Sequence, residues 1–367
     1  MAVSASAAEV VRQFERSEPY RWQFFAQGAV NVMFRCVSAE PCALSRYLLR
    51  VPKLQSKHGS GSAEESISNE EQSLFRARFF RLCGTHYQPS LIEVMVTPAF
   101  LSGLPDVGCV LSPCGFACLV QDVSAAPGGL TIEIKPKCGI VPLRTNLSDE
   151  NMCKSVTCRF CMYQNSKFKT GKISCISSYC PLQFFRGDYE TTVLNLKSLF
   201  DCPQNNIKIS SDNKLLLGCD SVDESALASA LIPLALSEKG LAHFIAQALL
   251  LSNVLQDIKR VQELDSLGIE LLWKRFCQSG ESPEIVQLVD DFMLATCAKD
   301  VSLIIAFEPL SSCSPEFISL PESSCGYRVQ IIDVDQRPRA WLKKYFLQDV
   351  EIVSEFLKSG CSRLCAL

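Results

Sequence analysis

Hydrophobic positions along this chain follow two different rhythms. Segment 20 to 53 reads as short strands joined by a turn, FFAQGAVNVMF and then RYLLRVPK, with the Gly28–Ala29 pair at the bend. Val, Phe, Tyr and Leu suit the half-buried positions of a pleated sheet. A stretch from about 54 to 69, LQSKHGSGSAEESISN, is glycine- and serine-rich and without periodicity, the composition of a loop. NEEQSLFRARFFRL then spaces its apolar residues as a helix does, with Ser68 or Asn69 as the cap. Between 91 and 121 the strand rhythm returns, with VLSPCGFACLV as the expected buried pair.

From about residue 130 the rhythm changes. LTIEIKPKCG predicts a short strand closed by a turn, and the residues after Asp149 predict a helix running through Lys167. Further helices are expected near 188 to 200, 241 to 265, 284 to 297 and 340 to 357, with strands at VSLIIAF and YRVQIIDV. No internal repeat is present. A strand-rich first third followed by a helix-rich remainder predicts an α+β protein of two lobes, residues 1–125 and 126–367, with ligands in the cleft between them.

Composition narrows the possible partners. The 367 residues carry 36 basic against 39 acidic side chains, a net charge of -3, which excludes a uniformly basic polyanion-binding surface. Any anionic ligand must be met by a local cluster, and one exists. No Lys or Arg occurs between Arg81 and Lys135, whereas Lys135, Lys137, Arg144, Lys154, Arg159, Lys167, Lys169 and Lys172 follow closely. Such a run can be a solvated helix face. Lys135 and Lys137 resist that reading, because they flank Pro136 at a strand end where alternation would send both ammonium groups to one side. Two ammonium groups together suit a phosphorylated ligand.

Asp300 directly precedes VSLIIAF, and Asp333 ends VQIID. Either could be a turn former or cap. Together they could also supply a base and a holder for a divalent cation, as phosphoryl transfer requires. Gly28, with Arg50 on the next strand, could cover nucleotide phosphates. None of His58, His86 and His243 sits beside a suitable Ser or Cys nucleophile, which argues against a hydrolase triad.

The twenty cysteines raise the question of compartment. The N-terminus becomes charged before a signal core forms, and Glu238 and Lys239 split the most apolar stretch, 226 to 251, so no membrane span is expected. A soluble, intracellular, cytoplasmic or nuclear protein with reduced thiols is the expectation. Cys158 and Cys161 form a CxxC with Cys153, Cys175 and Cys180 nearby. No second CxxC or close His follows, so the spacing favours ordinary buried thiols over structural zinc.

EIKPKCG, RFCMYQNSKF, YCPLQFFRG, PQNNIKI, ATCAKDVSLIIAF and YRVQIIDVDQRP, in this order and spacing, resemble the inositol-pentakisphosphate 2-kinases. The resemblance implies a two-lobed inositol polyphosphate kinase fold distantly similar to protein kinases. It also implies ATP- and Mg²⁺-dependent phosphorylation of inositol 1,3,4,5,6-pentakisphosphate at its 2-hydroxyl, giving the hexakisphosphate. On this resemblance Asp300 is the catalytic base and Asp333 the magnesium ligand. Lys135 contacts both the transferred phosphoryl and the inositide, while Lys137, Lys167, Asn205 and Asn206 contact substrate. Arg337 stands at a lysine position, and a substrate arginine of the family's last helix has no clean counterpart, although Arg339, Lys343 and Tyr345 lie close enough to substitute for it. AQGAVN matches the family's Gly-rich loop, placing Gly28, Asn31 and Arg50 beside the nucleotide, with Gln121 and Asp122 at the adenine hinge and Glu133 on the nucleotide side.

Several positions depart from the family pattern. Ala26 and Ala29 replace glycines, Tyr163 replaces a histidine, residues 82 to 134 hold no basic residue where the family places a substrate-phosphate arginine ahead of the hinge, and the plant zinc-binding insertion is absent. The expected partner is the inositide, without membrane or nucleic acid, and the expected state is a monomer. A non-catalytic inositol-phosphate receptor or scaffold on the same fold is the alternative.

Overall fold

The computed structural model describes residues 6–28, 31–38, 42–54, 67–113, 115–219, 222–360 and 364–365. Most of the stretch 54 to 69, read above as a loop, lies outside the described residues, as does Ala29. The chain forms two compact units, one of residues 1–63 and 89–123, the other of residues 64–88 and 124–367. The helix Asn69–Cys83 therefore belongs to the larger unit, although it precedes two strands of the smaller one in sequence. Ser68 caps it with a reciprocal capping box to Glu71.

The smaller unit is one antiparallel sheet of β1 (Trp22–Gln27), β2 (Asn31–Cys36), β3 (Tyr47–Pro52), β4 (Leu91–Met95) and β5 (Phe116–Gln121), in the order β1-β2-β3-β5-β4. Its inward residues Trp22, Phe34, Leu49 and Leu119 are fully buried, and the helix Ala7–Glu15 sets Phe14 against Trp22. Strand rhythm foretold β1 to β3. It misread VLSPCGFACLV, of which only the second half is strand, and it missed the short helix Pro98–Ser102, where Thr97 and Pro98 begin a turn.

The larger unit holds a second antiparallel sheet. It comprises β6 (Leu130–Ile134), β7 (Ile207–Ser211), β8 (Lys214–Leu217), β9 (Ser302–Pro309), β10 (Ile318–Ser319) and β11 (Cys325–Ile332), in the order β10-β11-β9-β6-β7-β8. β9 is central and buried on both faces, which explains its unbroken apolar run SLIIAF. Among the described residues no single helix is long and apolar enough to cross a membrane.

Two expected helices are broken. The one expected through Lys167 is a 3₁₀ segment, Asp149–Ser155, followed by the helix Arg159–Lys169 with Cys158 as its cap. The one expected over 241 to 265 is Glu238–Ser252 and Val254–Gln262, because Asn253 adopts a left-handed conformation and restarts the chain. The helices Tyr189–Asp201, Pro283–Ala298 and Leu342–Lys358 lie where their periodicity placed them, whereas Glu224–Leu231 and Gly268–Ser279 were missed. The expectation of uniformly reduced thiols also needs correction, since Cys175 and Cys202 form a disulfide.

Candidate active site

Strand register assembles the site. In the ladder between β6 and β9 the last pair is Ile134 with Leu303, so Lys135 and Lys137 follow the end of β6 close to where Asp300 leads into β9 at Ser302. On the other side of β9, Ile332 pairs with Ser302, and Asp333 follows at once. The start of the central strand thus meets the ends of both neighbours. Lys135 Nζ donates to Asp333 Oδ2 at 3.0 Å and to Ser302 Oγ at 2.5 Å, and Lys137 Nζ donates to Asp300 Oδ1 at 2.9 Å. Ser302 is fully buried, and its hydroxyl can donate to Glu133 Oε1 or Asp333 Oδ2, each 2.9 Å away.

Strand alternation does not set the position of Lys137. The strand ends at Ile134, and Lys137 has φ 65°, left-handed for a non-glycine residue. Three buried side chains hold the segment instead. Asn206 Nδ2 donates to Lys135 O at 3.1 Å, Tyr179 Oη to Pro136 O at 2.7 Å, and Gln262 Nε2 to Lys137 O at 2.9 Å. Gln262 also donates to Ala298 O and accepts from Gly139 N, joining this segment to the helix that ends before Asp300. Asp333 is the second left-handed residue of the site, at φ 65°, a conformation that Asp tolerates better than most residues.

A cavity of about 390 Å³, lined wholly by the larger unit, receives Lys137, Lys167, Asp300, Asp333, Arg337 and Tyr345. Burial, followed by repulsion from Lys137, holds the Lys167 ammonium below its ordinary pKa. Burial acts on Lys135 in the same direction, but the Asp333 and Glu133 carboxylates overcome it and leave this lysine above its ordinary value. The Tyr345 hydroxyl is pushed up to about 12 by burial. Lys167 lies 4.7 Å from the Tyr163 ring centre and Arg337 5.7 Å from that of Trp341, so both cations rest against aromatic faces.

Other expected residues lie away from this cavity. Asn205 is exposed, and Asn206 is buried with its amide turned to the backbone of Lys135. Neither lines the cavity. Arg339 forms a two-point ion pair with Asp290, at 2.5 and 2.6 Å, and Lys343 is exposed. Glu133 receives Lys208 as well as Lys135, at 3.3 and 3.6 Å. In the smaller unit the Asn31 carboxamide, oriented with its oxygen toward Arg50, accepts from Nη2 and Nε at 2.6 and 3.1 Å. Asp122 accepts from Arg35 at 2.5 Å, and Gln121 Oε1 accepts from Ser90 N. Gly28 has no heavy atom within 4 Å of where a Cβ would stand.

Sequence reasoning missed the side chains that support the site. Lys299 lines the cavity and donates to Asp265 at 2.5 Å; burial lowers its pKa, but that carboxylate prevails and raises it. Asp349 joins Lys154 and Arg159, at 2.6 and 2.9 Å, beneath the same cavity. A heptad stripe cannot show that Gln262, on the helix Val254–Gln262, faces inward as a polar residue; only the contact across more than one hundred residues reveals it.

The chain has extensive similarity to known proteins. The inositol-pentakisphosphate 2-kinase IPK1 of Oryza sativa subsp. japonica is 26% identical over an alignment of 418 positions, gaps included, covering 92% of this chain and 94% of its own. The inositol-pentakisphosphate 2-kinase of Danio rerio is 24% identical over 466, covering 95% of each, and that of Arabidopsis thaliana 28% identical over 275, covering 64% and 61%. A family model described as inositol-pentakisphosphate 2-kinase matches residues 24–351, and with that span the chain belongs to this family.

Proposed function

We propose that the chain transfers the γ-phosphoryl group of ATP to the 2-hydroxyl of inositol 1,3,4,5,6-pentakisphosphate on a two-lobed, protein-kinase-like fold, as a cytoplasmic or nuclear monomer. The supporting observation is the shared cavity that brings Asp300 and Asp333 together with Lys137, Lys167 and Arg337. Phosphoryl transfer needs positioning and charge neutralisation more than covalent help, and this wall offers both.

Asp300 is the candidate base. Its side chain is 62% exposed and engaged by one ammonium group, so it can accept the proton of the attacking hydroxyl once Lys137 turns to a substrate phosphate. Lys167 and Arg337 would meet further phosphates of the inositide. In Asp333 both bonds fall on Oδ2, which leaves Oδ1 for a cation, and one carboxylate with nucleotide phosphates is a donor set that fits Mg²⁺. Bound there, Mg²⁺ would neutralise nucleotide phosphate charge. Lys135, held by Ser302 and Asp333, places a fixed positive charge where the transferred group would pass. Gly28, Asn31, Arg50, Gln121 and Asp122 are the nucleotide candidates of the smaller unit, and the open space at Gly28 suits a close-lying phosphate.

The deciding experiment incubates purified protein with ATP, Mg²⁺ and the pentakisphosphate and separates products by anion-exchange chromatography. Hexakisphosphate is expected. Tight inositide binding without nucleotide binding or product would instead indicate a receptor on the same fold.

A further inference from the structure

Four cysteines that the phosphoryl-transfer reading does not use converge at one point of the larger unit. Cys158 caps the helix Arg159–Lys169, Cys161 lies in its first turn, Cys180 follows Tyr179, and Cys365 comes from the far end of the chain. Their sulfurs all lie within 4.8 Å of one another, and the residues are only 0%, 3%, 2% and 5% exposed. Among the described residues the one disulfide is Cys175–Cys202, so none of the four is joined to another.

We propose that Cys158, Cys161, Cys180 and Cys365 form a structural tetrathiolate zinc site. A zinc–sulfur bond of about 2.3 Å in a tetrahedron sets neighbouring sulfurs about 3.8 Å apart, which small rotamer changes reach from the present spacing. The cage of a four-iron cluster holds its thiolates farther apart, so the compactness of the group selects a single ion. Four soft ligands and no open position select zinc over magnesium or calcium and fit a structural rather than a catalytic role.

Binding releases one proton from each thiol and leaves a centre of net charge −2. A buried dianion needs donors, and the backbone provides them. Cys158 N donates to Cys365 Sγ at 3.3 Å, and Cys161 N to Cys158 Sγ at 3.4 Å. Cys158 also stands at the N-terminus of an eleven-residue helix, where the helix dipole favours a thiolate. Cys365 is brought into place by its own backbone N–H, which donates to Val156 O at 3.1 Å.

The position explains what such an ion would do. Tyr179, adjacent to Cys180, holds the carbonyl between the two site lysines, and the helix beginning at Cys158 carries Arg159, Tyr163 and Lys167 to the cavity wall. The ion would tie the end of the chain to both.

Metal analysis by plasma mass spectrometry decides the matter, on the full chain purified with a thiol reductant and without added metal. About one zinc per chain is expected. The double variant Cys158→Ser/Cys161→Ser should lose it by about tenfold or more, while Cys277→Ser, exposed and outside the group, should keep it. Because the double variant can fail to fold, the unmodified chain is also stripped and reconstituted with Co²⁺, which should give the intense charge-transfer and d–d bands of a tetrahedral tetrathiolate. Metal-free protein, iron with inorganic sulfide, a disulfide among the four, or a weak octahedral Co²⁺ spectrum overturns the proposal. None of these outcomes depends on kinase activity.

Discussion

The two lysine–aspartate pairs beside the central strand share a chemistry but differ in their surroundings. Asp333 sits in a left-handed conformation with Lys135 and the buried Ser302 on one oxygen, and Glu133 lies behind them. Asp300 has one ammonium partner, and its side chain is 62% exposed against 50% for Asp333. A carboxylate oxygen gripped by both a buried hydroxyl and an ammonium group is held in place. A more exposed carboxylate with a single ammonium partner can release that partner to a substrate phosphate and accept a proton. The proposed division into a cation holder and a base rests on this contrast rather than on residue type, since both are aspartates at strand ends.

The strongest way to break the contrast is Asp300→Asn, which keeps size and removes the proton acceptor. Turnover should fall by about 10²–10⁴-fold while calorimetric affinity for the pentakisphosphate stays nearly unchanged. Equal losses of binding and turnover would mean that Asp300 holds substrate rather than its proton. Asp333→Asn should cost less, about 10–100-fold, and should recover in part as Mg²⁺ is raised. Recovery of Asp300→Asn by Mg²⁺, or none for Asp333→Asn, would exchange the two roles.

Much of this site was legible in sequence, and the reason is the sheet. Lys135, Lys137, Asp300 and Asp333 stand at the ends of apolar runs, and antiparallel register carries such ends to one edge. The alternation argument for Lys135 and Lys137 fails at Lys137, which leaves the strand and whose backbone is held by contacts that alternation does not encode. Helix breaks at Cys158 and Asn253 were hidden because an apolar stripe continues across them. The supports of the 135–139 segment were hidden for another reason: Tyr179 and Gln262 carry no signal until their hydrogen bonds are seen, and Asn206, expected to contact substrate, is seen to donate to Lys135 O. Cys365, separated from Cys158 by 207 positions, could not be joined to a CxxC by spacing alone.

Gln262→Leu tests whether the buried supports or the ion pairs set the geometry. It keeps the volume but leaves Lys137 O, Ala298 O and Gly139 N without this partner. Stability by denaturant titration should fall by about 1–3 kcal/mol for an orphaned buried group. The Michaelis constant for the inositide should rise along with it, because Lys137 loses its fixed backbone. Unchanged stability and kinetics would show that the Lys137–Asp300 pair alone positions the segment.

The smallest expected effect concerns pH and links the exposed pair to Lys167. Burial and the Lys137 charge depress the pKa of Lys167, while Asp300 opposes them. A lysine depressed in the folded state binds fewer protons there than in the unfolded chain, between its folded pKa and the ordinary lysine value. Its own contribution therefore lets stability rise with pH across that window. Inositide binding runs the other way, because phosphates favour the charged ammonium. Affinity should be fully present below the depressed pKa and decline above it by at most about tenfold per pH unit, with net proton uptake visible by calorimetry in two buffers of different ionisation enthalpy. Lys167→Arg should remove the decline. Asp300→Asn should move it to lower pH by deleting the one carboxylate that sustains the charge, whereas Asp333→Asn should leave its position unchanged. Equal shifts in both aspartate variants would mean that the two pairs share one electrostatic environment and that their difference in exposure carries no functional distinction.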